Sequence, residues 1–318
     1  ASPATSGRSA STERRVPRRP RAPRPRGCGY DRPVRLKQPQ NHVAGRDVDL
    51  AFAAAQRVVE VHRRVVEFLR VGQTLAQIDA EVSKILDALD CRSCFLHYRI
   101  PGKPAFTGHA CLSVNDCVVH GTPASYLKPM TEGDILKVDI GVAHKGWIGD
   151  AGWTYAFKRF PSDDAKRLML AGRESLRRGI ATLKPGNTYI AWARTVQACV
   201  EREHGFHLVR GLGGHGIGKY KSDRDRGLHL PPFVANLPPA YPDEWPEARM
   251  PCEPGTLIAV EPMLAIGTGQ TREDRVYKWP VYSADGSLTA HYEHDVLITE
   301  SGPRVLTEGM DDLPDLVG

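Results

Sequence analysis

The run ILKVDIGVAHKGWIGDAGWTYAF, residues 135–157, reads as two β-strands folded back around His144-Lys145-Gly146, and it carries Asp139 and Asp150 among apolar neighbours. An ionised carboxylate turned into an apolar interior is strongly unfavourable unless a cation or good donors compensate it. With a two-residue loop at His144 and Lys145, the register sets Asp139 directly across from Asp150. Opposed residues share a face, with Cβ atoms about 5 Å apart. Two carboxylates so placed repel unless a cation lies between them. A structural ion pair is the plainer account of either acid alone; a metal site accounts for both.

The surrounding pattern occurs twice. The first half reads helix, Gly72-Gln73-Thr74, helix, then Gly133 with Asp139 six residues beyond it. The second reads helix, Gly186-Asn187-Thr188, helix, then Gly255 with Glu261 six residues beyond it. Apolar residues at helical spacing predict helices over 49–72, from Thr74 to near Cys91, over 165–182 and over 189–203. Thr74 and Gln77 form a capping box at the second of these. Strands are predicted at 111–114 and 117–121, and Pro101-Gly102-Lys103-Pro104 marks a loop. The expected architecture is α+β: two pseudo-twofold halves, helices packed on antiparallel sheets, and carboxylates from each half in a central cleft.

Composition limits what this body can bind. Residues 1–37 hold eleven Lys or Arg against Glu13 and Asp31, a surplus of nine. In a chain of formal charge +6, the rest therefore carries −3. That balance argues against a basic nucleic-acid-binding face on the folded part. Residues 1–44, rich in Pro and Arg, are expected to be a disordered basic extension, and 45–318 a catalytic domain. RNA, ribosome or SH3-like contact would fall to the extension, where Pro17, Pro20 and Pro23 give overlapping PxxP spacings. The seven cysteines include a single CxxC, at Cys91 and Cys94, without the second pair that a structural zinc site needs. Reduced thiols, no membrane span and a cytoplasmic location are expected.

Other residues join the acids. Gly213-Gly214-His215-Gly216-Ile217-Gly218 sets an imidazole among glycines, where backbone can approach a ligand closely. His291-Tyr292-Glu293-His294 adds another acid to a strand-like run, with Glu293 facing opposite to its immediate neighbours. Asp139, Asp150, Glu261 and Glu293 with His215 suit two adjacent divalent cations; Mn, Fe or Co are favoured by the oxygen-rich set, and Zn remains compatible. Such a pair polarises a carbonyl and acidifies water, so hydrolysis is the expected reaction class.

In the local contexts KVDIG, GDAGWT, GGHGIG, VEPM and YEHDV, these five residues resemble the metallopeptidase family with the pita-bread fold. Within it, the chain is similar to type I methionine aminopeptidases over about residues 45–307. The resemblance implies that Asp139, Asp150 and Glu293 hold one metal, and that Asp150 and Glu293 also reach a second, completed by His215 and Glu261. It implies that a metal-bound hydroxide attacks the first peptide carbonyl of nascent chains whose second residue is small, with Glu261 accepting the proton. His120 corresponds to the histidine at the scissile amide, and His229 to the one that supports the oxyanion. Cys111 and Trp279 correspond to positions lining the methionine pocket.

The chain departs from the family pattern in its loops. His215 and His229 are 14 residues apart because 219–226 adds a charged stretch, and Leu228 stands where an aromatic residue is common. Segments 98–106 and 233–254 are also long, so substrate contacts beyond the first residue do not transfer. Two rivals remain at this stage. A proline-specific peptidase of the same fold usually carries a full domain before the catalytic one. A silent homologue acting as a binding module would not need all five ligands.

Overall fold

Helix α1, Arg46–Phe68, buries Ala51, Ala54, Ala55, Val58, Val59, Val61, His62 and Val65, a three- and four-residue spacing that makes one apolar stripe. The stripe lies on the 135–157 hairpin. His62 is satisfied within that contact: Nδ1 lies 3.1 Å from the Tyr155 hydroxyl and Nε2 3.1 Å from Ala151 O. The computed structural model describes residues 40–318, so the expected extension and its PxxP spacings lie almost wholly outside the described residues. The folded body begins earlier than 45, since Val43 N–H donates to Gly255 O at 2.7 Å and His42 bridges Thr256.

Helix α2, Leu75–Ala88, starts at the expected capping box, with the Thr74 side chain accepting from Gln77 N–H and the Gln77 side chain accepting from Thr74 N–H. Helix α3 spans Asp163–Ile180 behind a Ser162 cap, and helix α4 spans Tyr189–Gln197. The expected helix over 189–203 changes character after α4, where Ala198–Glu203 continues as a π-helical turn.

Two five-stranded sheets carry the two halves. In the first, Ile135–His144 is the long central strand, flanked by Trp147–Phe157 and Cys111–Val114. The short Leu316–Val317 strand adds to this sheet in parallel, the one departure from antiparallel pairing in it. The second runs Gly302–Val305, His294–Thr299, Leu257–Val260, Gly213–Gly216, Leu230–Ala235, antiparallel throughout. Helices α1 and α2 belong with the first half, and α3 and α4 with the second. The expected α+β halves are therefore present. Gly133 and Gly255, the counterparts in the sequence repeat, have nearly the same φ, 86° and 87°.

The hairpin register differs from the expected one. His144 pairs with Trp147, so the loop is Lys145-Gly146, both with left-handed φ of 49° and 79°. A two-residue loop matching the strand twist needs positive φ at both positions, and glycine takes the second without strain. Asp139 consequently opposes Gly152, and Asp150 opposes Gly141. The two acids still share a face, but as diagonal neighbours separated by about 7 Å. That leaves more room for a cation between them than direct opposition does.

Candidate metal centre

Glu261 and Glu293 reach the cleft by a simple rule of pairing. Val260 and His294 are the last partners of the ladder between Leu257–Val260 and His294–Thr299. The next residue outward on each strand is the glutamate, so the two acids emerge side by side. His215 pairs with Ala259, which puts its side chain on the same face as Glu261. The hairpin is then tied to this edge by Glu293 N–H donating to Gly152 O at 2.8 Å and Asp150 N–H donating to an Asp295 carboxylate oxygen at 2.9 Å. Asp139, Asp150, His215, Glu261 and Glu293 thereby line one cavity between the two sheets.

Within the cavity, Asp150, His215 and Glu293 each offer a ligand atom within 4.8 Å of the other two, and so do Glu261, His291 and Glu293. His215 Nε2 stands 4.0 Å from Asp150 Oδ2 and 3.9 Å from Glu261 Oε1. Those separations exceed a hydrogen bond and suit donors about 2 Å from a common ion. The His215 Nδ1–H donates to Gly216 O at 3.3 Å, which leaves the Nε2 lone pair for the centre. One oxygen of Asp139 and one of Asp150 are buried without a hydrogen-bond partner among the described residues. Burial, reinforced by the neighbouring carboxylates, pushes the Asp139, Glu261 and Glu293 carboxyls well above their ordinary range. Burial raises Asp150 to about 7. Burial also holds the imidazoles neutral, with His215 well below its usual value and His120 near 3. Crowded acids, orphaned oxygens and a neutral imidazole lone pair fit divalent cations.

An aromatic wall closes the cavity beside the acids. Trp279 packs edge-on against Phe106 at 5.3 Å between centroids and against His120 at 5.9 Å, and its Nε1–H donates to Pro104 O at 2.9 Å. Cys111 faces the same space from the strand position opposite Asp139, and burial keeps its sulfur a thiol. His120 lies just past the Cys117–Val119 strand rather than within it. Both His120 and His229 adopt left-handed φ, 58° and 54°. Such backbone in a non-glycine residue costs about 1–3 kcal/mol and concentrates at functional sites. His229 lies against His215, with centroids 4.5 Å apart.

Two residues beyond the expected set belong to this centre. His291 is buried, and its Nε2 lies 3.0 Å from Glu261 Oε2. Alternation in His291-Tyr292-Glu293 was the available signal, since residues two apart in extended chain share a face. Tyr98 contacts His229 from a loop, where no periodicity could reveal it. His294 faces elsewhere, with Nδ1 2.8 Å from the Thr307 hydroxyl, and Cys91 and Cys94 are buried free thiols.

Gly152 is the small residue that lets these groups meet. A Cβ there would stand 2.9 Å from His291 Cε1 and 3.3 Å from Glu293 Oε2. Both side chains are held in place, His291 by burial and by its backbone exchange with the Thr154 hydroxyl. Gly152→Ala is therefore expected to cost about 1–3 kcal/mol in urea unfolding and to weaken Mn or Co binding in calorimetry. Unchanged stability and affinity would show that Glu293 has slack.

Residues 50–300 match the family described as Metallopeptidase family M24. The chain is 36% identical over 268 residues to methionine aminopeptidase 1 of Mycobacterium tuberculosis, covering 81% of this chain and 92% of the relative. It superposes on the crystal structure of methionine aminopeptidase from Thermotoga maritima with a TM-score of 0.70 and 30% identity, covering 82% of this chain and 96% of that one. A more distant likeness, of fold alone, is to the Xaa-Pro dipeptidase of Bacillus anthracis, with a TM-score of 0.62, 18% identity and 62% of that longer chain covered. With a match that spans residues 50–300 and includes Asp139, Asp150, His215, Glu261 and Glu293 of the cavity, the chain belongs to metallopeptidase family M24.

Proposed function

We propose that the chain is a methionine aminopeptidase, removing the N-terminal methionine from nascent proteins and peptides whose second residue is small. The observation that carries this reading is the juxtaposition of the acid cluster with a soft-walled space lined by Phe95, Phe106, Cys111 and Trp279. An unbranched thioether suits such a wall, through sulfur–aromatic and thiol contacts. The naming of relatives across most of this chain supports the same choice.

Asp139, Asp150 and Glu293 would hold one divalent ion, and Asp150, Glu293, His215 and Glu261 a second; Mn, Fe, Co and Zn are the candidates. When bound, such ions supply Lewis acidity toward the first carbonyl and acidify water. Glu261 accepts the proton of the attacking water, with His291 on its other oxygen holding the carboxylate in place. Asp139, at the cavity wall, receives the free amine. His229 donates to the developing oxyanion, and His120, kept neutral by burial, meets the scissile amide. The walls of Trp279 and Phe106 exclude water from the side chain of the first residue.

The deciding experiment strips metal, adds back Mn, Fe, Co or Zn singly, and compares release of Met from Met-Ala-Ser with cleavage of an Xaa-Pro peptide. Release of Met is expected with at least one metal. Cleavage of the Xaa-Pro peptide alone would replace this reading with the proline-specific one.

A further inference from the structure

The residues that lengthen the chain between His215 and His229 form a closed excursion. Gly218 N–H donates to Gly227 O at 3.0 Å, so the chain enters and leaves segment 219–226 at one point. Its base is stitched to the hairpin by Ile148 N–H donating to Gly218 O at 3.3 Å and Tyr220 N–H donating to Gly146 O at 3.1 Å. Most of the excursion is exposed, yet Arg226 is only 6% exposed. Its Nη1 donates to Cys94 O at 2.6 Å and to Leu96 O at 2.8 Å, while Asp223 stands 3.6 Å from Nη2. One guanidinium thus grips two carbonyls of the loop that follows the Arg92–Ser93 strand. Nε also donates to Asp223 O at 3.2 Å, so the planar guanidinium is held on two sides at once, which the single ammonium of a lysine does not reproduce.

Tyr98 leaves that loop two residues beyond Leu96. Its hydroxyl lies 2.8 Å from His229 Nδ1, and the rings meet edge to face at 5.2 Å. Burial raises the Tyr98 pKa, so the group stays a phenol and can donate. The direction of this bond matters. A hydroxyl donating to Nδ1 leaves the hydrogen on Nε2, whereas Nδ1–H donating to the tyrosine oxygen leaves Nε2 a bare acceptor, unable to support an oxyanion.

We propose that Tyr98 is a positioning residue that fixes His229 as the Nε2–H tautomer, and that Arg226, delivered by the 219–226 excursion, holds Tyr98 in place. The proposal rests on the role given to His229 above. It also joins two departures from the family pattern, the loops at 98–106 and 219–226, into one device.

The test separates the tautomer from turnover. Metal-free protein labelled with 15N-histidine is examined by long-range proton–nitrogen correlation, and Met-Ala-Ser hydrolysis is measured on metal-loaded protein. Wild type is expected to show His229 with Nε2 protonated and Nδ1 bare. Tyr98→Phe keeps the ring but removes the hydroxyl, and should give mixed tautomers. It should also lower kcat by about 10- to 100-fold with KM little changed, as for loss of a group that orients an imidazole. Arg226→Lys should fall between wild type and Tyr98→Phe, and combining the two should cost no more than Tyr98→Phe alone. An Nδ1–H tautomer in wild type, or an unchanged tautomer in Tyr98→Phe, overturns the proposal whatever the turnover. The expected tautomer shift in a protein that releases no Met with any metal upholds the positioning and overturns the activity reading instead.

Discussion

Asp150→Asn is expected to abolish measurable release of Met from Met-Ala-Ser and to weaken metal binding in calorimetry. The residue is 2% exposed and offers a ligand atom within reach of those of His215 and Glu293. Its Oδ1 has no hydrogen-bond partner among the described residues, so the carboxylate is not spent on holding the hairpin. Asparagine keeps the shape and one oxygen but removes the charge and puts an NH2 donor where an acceptor stood. Loss of an outer partner of a ligand typically costs about 10- to 100-fold, so loss of the ligand itself should cost more. The backbone N–H of residue 150 still donates to Asp295, and the variant should therefore fold. Full activity in a folded Asp150→Asn protein would show that the ligand assignment is wrong.

The stabilisation conferred by added metal is expected to grow steeply as pH rises from 5 to 8. Without metal, burial and mutual repulsion raise the carboxyls of Asp139, Glu261 and Glu293 well above their ordinary range, and burial raises Asp150 to about 7. Unfolded, all four ionise near pH 4. Between these limits the native metal-free state binds more protons than the unfolded one, so its stability falls as pH rises. For Asp150 alone, the shift from 3.8 to about 7 corresponds to on the order of 4 kcal/mol. Cations held by the ionised carboxylates remove this loss, and at low pH they must compete with protons. Thermal melts of metal-free and Mn-loaded protein at pH 5, 6, 7 and 8 should diverge progressively. Equal metal-induced shifts at pH 5 and pH 8 would show that these acids are not the ligands.

Much of this was readable from residues because the signals were local. The capping box at Thr74 and Gln77 and the two-fold recurrence around Gly133 and Gly255 are short-range patterns, and the starts of helices and of the acid-bearing strands follow from them. Even the hairpin error was a shift of one residue in the loop. It left Asp139 and Asp150 on a common face because moving a two-residue loop by one changes the pairing sum by two, and side chains alternate with period two.

By itself, the sequence determined that this is an α+β protein of two related halves, with acids where apolar strands should be uniform, and which motifs they occupy. Tertiary structure decided which groups act on those acids. His291 meets Glu261 only because Gly152 leaves space between two sheets. Tyr98 meets His229 across 131 positions of chain, from a loop whose carbonyls are gripped by a buried arginine three residues before that histidine. Periodicity and spacing report the neighbours of a residue along one element. Contacts between loops are set by packing over long sequence separations, and no local pattern encodes them.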